Sequence, residues 1–231
     1  FSIRNSLLGK KIFRSYKKNF FPYVKPKIKG NLHTDEKEMK VGKCCVHDIN
    51  TIDSKTKFVV EEELMRERSK KKIDQFFKRI KDRIYGQLLE RFKSEKHKPV
   101  KKRKLFSFIQ DGFENYKSGA TKHFYRVCKI VSGVPIACKK YGVEHNNNPI
   151  ERYNQDIKDR YKTTRHWGNF SSAKKILKMR QIIHNFVNPH QQIKGKTPAE
   201  AAEIKYDLGK NKLLNLVKLT AELKNFGDDD N

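Results

Sequence analysis

The sequence predicts an α/β protein built on a mixed sheet, and three observations lead there. Residues 32–41, 43–52 and 57–63 read as three successive strands, with Asp53-Ser54-Lys55 as the turn of an antiparallel hairpin. Residues 69–96 then carry Ile73, Phe76, Phe77, Ile80, Ile84, Leu88 and Phe92 in an i, i+3/i+4 register, which makes a long helix with Lys and Arg outside. After it, short apolar runs alternate with helical ones, as strands joined by crossover helices do.

Charge narrows the partner. Among 231 residues, Lys+Arg 53 against Asp+Glu 26 leaves a net charge of +27, so a polyanion is expected and nucleic acid leads. The basic residues are spread along the whole chain, unlike the single amphipathic segment of a membrane-surface protein. With 15 Phe and 9 Tyr the chain has enough apolar mass for a core, so wholesale disorder is not expected. No apolar run approaches the roughly 18 residues needed to cross a bilayer, and no signal peptide is visible. Cys44 and Cys45 are adjacent, Cys128 and Cys138 stand apart, and no CxxC pair exists; reduced, buried thiols in a cytoplasmic, nucleoid-associated protein are the expectation.

In chain order, residues 1–30 read as a helix and basic linker belonging to an upstream DNA-binding region, or as a helix docked on the core. Ile3, Leu7, Leu8, Ile12, Phe13, Tyr16 and Phe20 keep helical spacing until Pro22 and Pro26 break it, and Phe1 in place of Met suggests a fragment. Residues 31–205 form the expected core, and residues 206–231 a basic helical tail with an acidic end. Leu105-Phe-Ser-Phe-Ile-Gln-Asp111-Gly112 reads as a buried parallel strand ending in a carboxylate, the end where open α/β sheets bind ligands. A helix follows over 113–127, in which Asp111 and Glu114 also fit a capping box. Residues 129–137 read as a bulged or edge strand because of Gly133 and Pro135.

The next helix opens with Asn148 as N-cap and Pro149 at its first position, placing Glu151 in the first turn, where the helix dipole favours an anion. Ile150, Tyr153, Ile157 and Tyr161 share an apolar stripe, while Glu151, Gln155, Lys158 and Lys162 lie about a quarter-turn round from it. A carboxylate followed by ammonium groups along one edge suits a metal ion beside a phosphate backbone; an ordinary capping box of Asn148 and Glu151 fits the same residues. Trp167 is expected in the core, and residues 172–187 form a helix with Ile176, Leu177, Ile182, Ile183 and Phe186 inside. Thr197-Pro-Ala-Glu200 starts another helix, and 213–223 a last one.

Three carboxylates, Asp35, Asp111 and Glu151, lie 76 and 40 positions apart and meet only if the fold gathers their elements. With His33-Thr-Asp35-Glu, Gln110-Asp111-Gly-Phe-Glu-Asn-Tyr116, Asn147-Asn-Pro-Ile-Glu151-Arg and Lys158 seven residues on, the stretch from Asn31 to Ile204 resembles DDE transposases and retroviral-type integrases. Among these it is most similar to prokaryotic insertion-sequence transposases. The resemblance implies a ribonuclease-H-like mixed five-stranded sheet with helices on both faces, extended by C-terminal helices. It also implies Mg²⁺-dependent cleavage and strand transfer of DNA, with two Mg²⁺ ions (Mn²⁺ as the alternative) held by Asp35, Asp111 and Glu151. Lys158, with Arg160, Lys162 and Arg165 nearby, would contact the DNA backbone. Element ends and target DNA are the implied partners, and a homo-oligomer the expected state. A ribonuclease-H-like nuclease without strand transfer, or a non-catalytic basic DNA-binding protein, are the alternative readings. The first strand is unusually polar for a central one, and the helix-turn-helix domain expected upstream of such a core is not among these residues.

Overall fold

A strand with a polar middle stands at the centre of the sheet. The structure, a computed structural model, describes residues 24–133, 148–164, 167–206 and 208–225, leaving aside the side chains of 156, 158–164 and 220–225. The helix expected before residue 24 lies outside that range. Strands β1 (Leu32–Val41), β2 (Cys44–Asp53), β3 (Val59–Met65), β4 (Ser107–Gln110) and β5 (Lys129–Ser132) form one sheet in the order β3-β2-β1-β4-β5. β1 runs antiparallel to β2, and β2 to β3, whereas β1, β4 and β5 are parallel. Helix α1 (Lys70–Glu95) links β3 to β4, α2 (Glu114–Phe124) links β4 to β5, and α3 (Asn148–Thr164), α4 (Phe170–Phe186), α5 (Pro198–Ala201) and α6 (Lys212–Asn225) follow. This topology is the ribonuclease-H-like fold, with the last helices as its extension.

The apolar stripe of α1 packs as its spacing predicts. Ile73, Phe76, Phe77, Ile80, Ile84 and Leu88 are fully buried in a first cluster with Leu32, Ile49, Phe108, Tyr116 and Phe124. A second cluster joins Met39, Val41, Val46, Ile52, Val59 and Leu64 to Ile150, Tyr153 and Ile157 of α3 and Trp167. The two clusters hold different residues of the same strands because side chains alternate along a strand.

Asp53, at the end of β2, staples the approach to β1. Its carboxylate accepts from the backbone N–H of Lys29 (2.9 Å), Gly30 (2.8 Å) and Lys55 (3.0 Å) and from the Thr56 hydroxyl (2.9 Å). A Cβ at residue 30 would stand 2.4 Å from Ser54 Oγ, so this close approach requires glycine. Val24 and Ile28 are buried against the first cluster, so the segment before β1 is part of the packing.

Three expectations are corrected. Helix α4 buries Lys178, Arg180, Gln181 and Asn185 while Ile176 is exposed, because it covers the edge strand β3, whose polar groups need donors. Asn185 and Gln181 there pair with the backbone of Val59. Cys44 and Cys45 are exposed at the β1–β2 turn, and only Cys128 is a buried thiol among those described. Helix α2 starts at Glu114 with Phe113 as N-cap and no side-chain cap, so Asp111 and Glu114 form no capping box. The strand expected over 129–137 as bulged or at an edge is the edge strand β5; it ends at Ser132 with Gly133 at φ 79 behind it, and residues 134–137 lie outside the described range.

Candidate active site

The register of the sheet brings two of the three acids together. Thr34 pairs with Gln110 across the parallel β1–β4 ladder. Asp35 and Asp111 are the next residues on each chain, so they stand side by side at the carboxyl end of β4. Asp111 is anchored there, since its Oδ1 accepts the backbone N–H of Phe113 at 3.0 Å.

Helix α3 supplies the third. It lies across β1 and β2, with Ile150, Tyr153 and Ile157 buried beneath it. Asn154 donates to Asp35 Oδ2 (3.2 Å), and its own Oδ1 accepts from Asn50 Nδ2 (3.3 Å). Asn50 is the β2 partner of Asp35 and also donates to Asp48 Oδ2 at 3.2 Å. Glu151 is one turn ahead of Asn154 on the same side of the helix and is exposed to solvent.

The electrostatics tie the set together. Burial pushes the Asp35 carboxyl up from its ordinary 3.8 to about 6; the charges of Asp111, Glu151 and Glu36 push the same way, against a backbone hydrogen bond from Glu36. Asp35 thus feels the charge of both other acids, each from a different element. Among the described residues, no three His, Cys, Asp or Glu side chains are drawn close enough to hold a metal ion as a set. The donor set itself is all oxygen, which suits a hard divalent cation, and a cation would relieve the repulsion that Asp35 registers.

On the opposite face, Glu36 accepts hydrogen bonds from Arg68 and from the Tyr116 hydroxyl, and Arg68 lies 4.4 Å over the Phe113 ring. Of the residues expected to contact DNA, Lys158, Arg160 and Lys162 lie on the C-terminal half of α3 with side chains outside the described set, and Arg165 lies outside the described residues altogether. Sequence reasoning missed Asn154 and its partners Asn50 and Asp48. Asn154 follows Glu151 by three, the spacing that puts two side chains on one helix face, and that signal was available.

No family model matches this chain, and no curated protein matches it. Among solved structures it is similar to a chain of the simian T-cell lymphotropic virus intasome in complex with PP2A regulatory subunit B56 gamma. That similarity has a TM-score of 0.47 at 10% identity and covers 80% of this chain and 60% of the other, less than two thirds of its length. It is also similar to the catalytic domain of the Mos1 mariner transposase, with a TM-score of 0.40 at 11% identity over 94% and 90% of the two chains. The strand order and directions define the class: a ribonuclease-H-like α/β domain with acids at the carboxyl end of β4. Among the described residues no helix is long and apolar enough to cross a membrane.

Proposed function

We propose that this chain is the core of a DDE transposase that cuts DNA and joins the freed 3′-hydroxyl to target DNA, with Asp35, Asp111 and Glu151 as its metal ligands. The observation that carries the reading is geometric: the Thr34–Gln110 register sets Asp35 beside Asp111, and Asn154, one turn along α3 from Glu151, donates to Asp35. Two divalent cations, Mg²⁺ or Mn²⁺, would supply charge neutralisation at the attacking and leaving oxygens of an in-line displacement. The chain's own residues do the holding. Asn154 orients the Asp35 carboxylate, the Phe113 amide fixes Asp111, and Glu151 is solvent-facing, open to an incoming substrate. A net charge of +27 draws the polyanion, and Lys158, Arg160, Lys162 and Arg165 are the proposed backbone contacts.

The test is nicking of supercoiled plasmid by the full chain in Mg²⁺ or Mn²⁺, with Asp35→Asn, Asp111→Asn and Glu151→Gln beside it. Each variant should lose at least about 100-fold in rate while retaining DNA with unchanged, salt-sensitive affinity. Undiminished nicking in all three variants, or DNA binding with no metal-dependent cleavage, sinks the proposal. Nicking without joined products favours the nuclease reading.

A further inference from the structure

Beneath α3 lies a buried polar cluster that the site chemistry does not use. The Tyr153 hydroxyl donates to Glu62 Oε2 on β3 at 3.0 Å. Arg180 of α4 donates through Nη2 to the Tyr153 carbonyl at 2.6 Å, and its guanidinium carbon sits 4.1 Å over the Tyr153 ring. The His184 ring meets Tyr153 edge-on at 4.8 Å and is itself held by the Lys57 carbonyl at 2.9 Å. Tyr153, Glu62 and Arg180 are 3%, 1% and 8% exposed, so the desolvation of this cluster is nearly complete.

We infer that the Tyr153–Glu62–Arg180 cluster is the positioning device of the site, setting the roll of α3 about its axis so that Glu151 and Asn154 face Asp35. At 100° per residue, Tyr153 and Glu151 lie about 160° apart, on opposite flanks of the side of α3 that rests on the sheet. Pinning one flank therefore aims the other. Ile150 and Ile157 set the roll only coarsely, by which face is buried, whereas the Tyr153 hydroxyl bond and the Arg180 bond to the Tyr153 carbonyl are directional. A carboxylate roughly 5–6 Å from a helix axis moves about 1 Å for a 10° roll, and a misplacement of that size can cost about 100-fold in rate. Polar groups buried here are costly unless hydrogen-bonded, and the bonds that offset the cost also fix direction.

This inference rests on the proposed function only in calling Glu151 a metal ligand; the roll itself is measured without it. Two variants test it in the full chain. Tyr153→Phe with Glu62→Gln removes the hydroxyl-to-carboxylate bond while keeping a polar side chain against buried Arg180 and Lys178. Arg180→Lys keeps the charge and loses the fork, and serves if the double variant does not fold. The first readout is the Asn154 side-chain amide resonance, which reports its bonds to Asp35 and Asn50; the second is Mn²⁺ affinity. We expect a shifted, broadened Asn154 resonance and at least a tenfold weaker Mn²⁺ affinity in variants that unfold at the wild-type denaturant midpoint. An unchanged Asn154 resonance in a folded variant overturns the inference. If wild type and Asp35→Asn bind Mn²⁺ equally, the functional reading fails instead, and the amide resonance still decides the positioning role.

Discussion

The two sides of the sheet are made of different materials. Under α1 and α2 lie aromatic rings: Phe77 meets Phe108 edge-on at 5.6 Å, and Phe108 stacks on Phe124 at 5.0 Å. Under α3 the buried set includes Asp48, Asn50, Glu62, Asn154 and Arg180 beside the aliphatic residues. The first side removes apolar area from water and asks little of orientation beyond fit. The second gives up solvation energy and receives fixed directions in return. Stability and aim are thus supplied from opposite faces of one sheet, and variants should separate them.

The largest effect is expected at Phe77, which is fully buried. Phe77→Ala should cost about 3–5 kcal/mol in a denaturant titration, while the Asn154 resonance of the folded fraction stays where it is. A shifted resonance would mean that the two sides are not separable. The next concerns pH. Burial raises the Asp48 carboxyl from its ordinary 3.8 to about 6. Between these values the unfolded chain has released a proton that the folded chain keeps. The contribution is therefore full below the lower value and lost as pH rises through the upper one. Asp48→Asn should flatten the fall in unfolding free energy between pH 4 and pH 7, an effect shared with Glu62, whose carboxyl is raised by burial and by the charge of Asp48. Glu61 acts with the opposite sign: burial opposes its ionisation, but Lys178, Arg83 and Arg79 hold it down at about 2, so its stabilisation is lost in acid.

A smaller effect sharpens the picture of the aromatic side. A Cβ at Gly119 would stand 2.5 Å from Phe77 Cδ2, so Gly119→Ala should destabilise by about 1–3 kcal/mol through overpacking; thermal unfolding measures it, and a neutral result would show that the ring yields. The smallest is at the start of α4, where the Asn169 side chain accepts from the N–H of Ser171 and Ser172. Asn169→Ala should cost about 1 kcal/mol by the same measurement, with the Arg180 contacts to Tyr153 unchanged.

What was legible in the sequence follows this division. The α1 stripe and the three-strand meander were readable because apolar spacing reports burial directly, and β1 matched over its full length at Leu32–Val41. The expectation that Asp35, Asp111 and Glu151 share a region rested on resemblance, and the Thr34–Gln110 register and the α3 packing provide a physical route for it. The polar bed was hidden for the same reason that the stripes were visible. Lys178, Arg180 and Asn185 look like a solvated helix face until an edge strand carrying Glu61 and Glu62 is laid beneath them. Asp48 and Asn50 likewise sit in a strand whose alternation gives no hint that a helix will cover them.

Asp35 and Glu36 are neighbours in sequence and anchor to opposite layers, one to Asn154 and the other to Tyr116 and Arg68. A single peptide unit of β1 therefore joins the anchor on α3 to the anchor on α2. A shift of either helix would be passed to that one stretch of β1 backbone, so the two layers are linked there through a single strand.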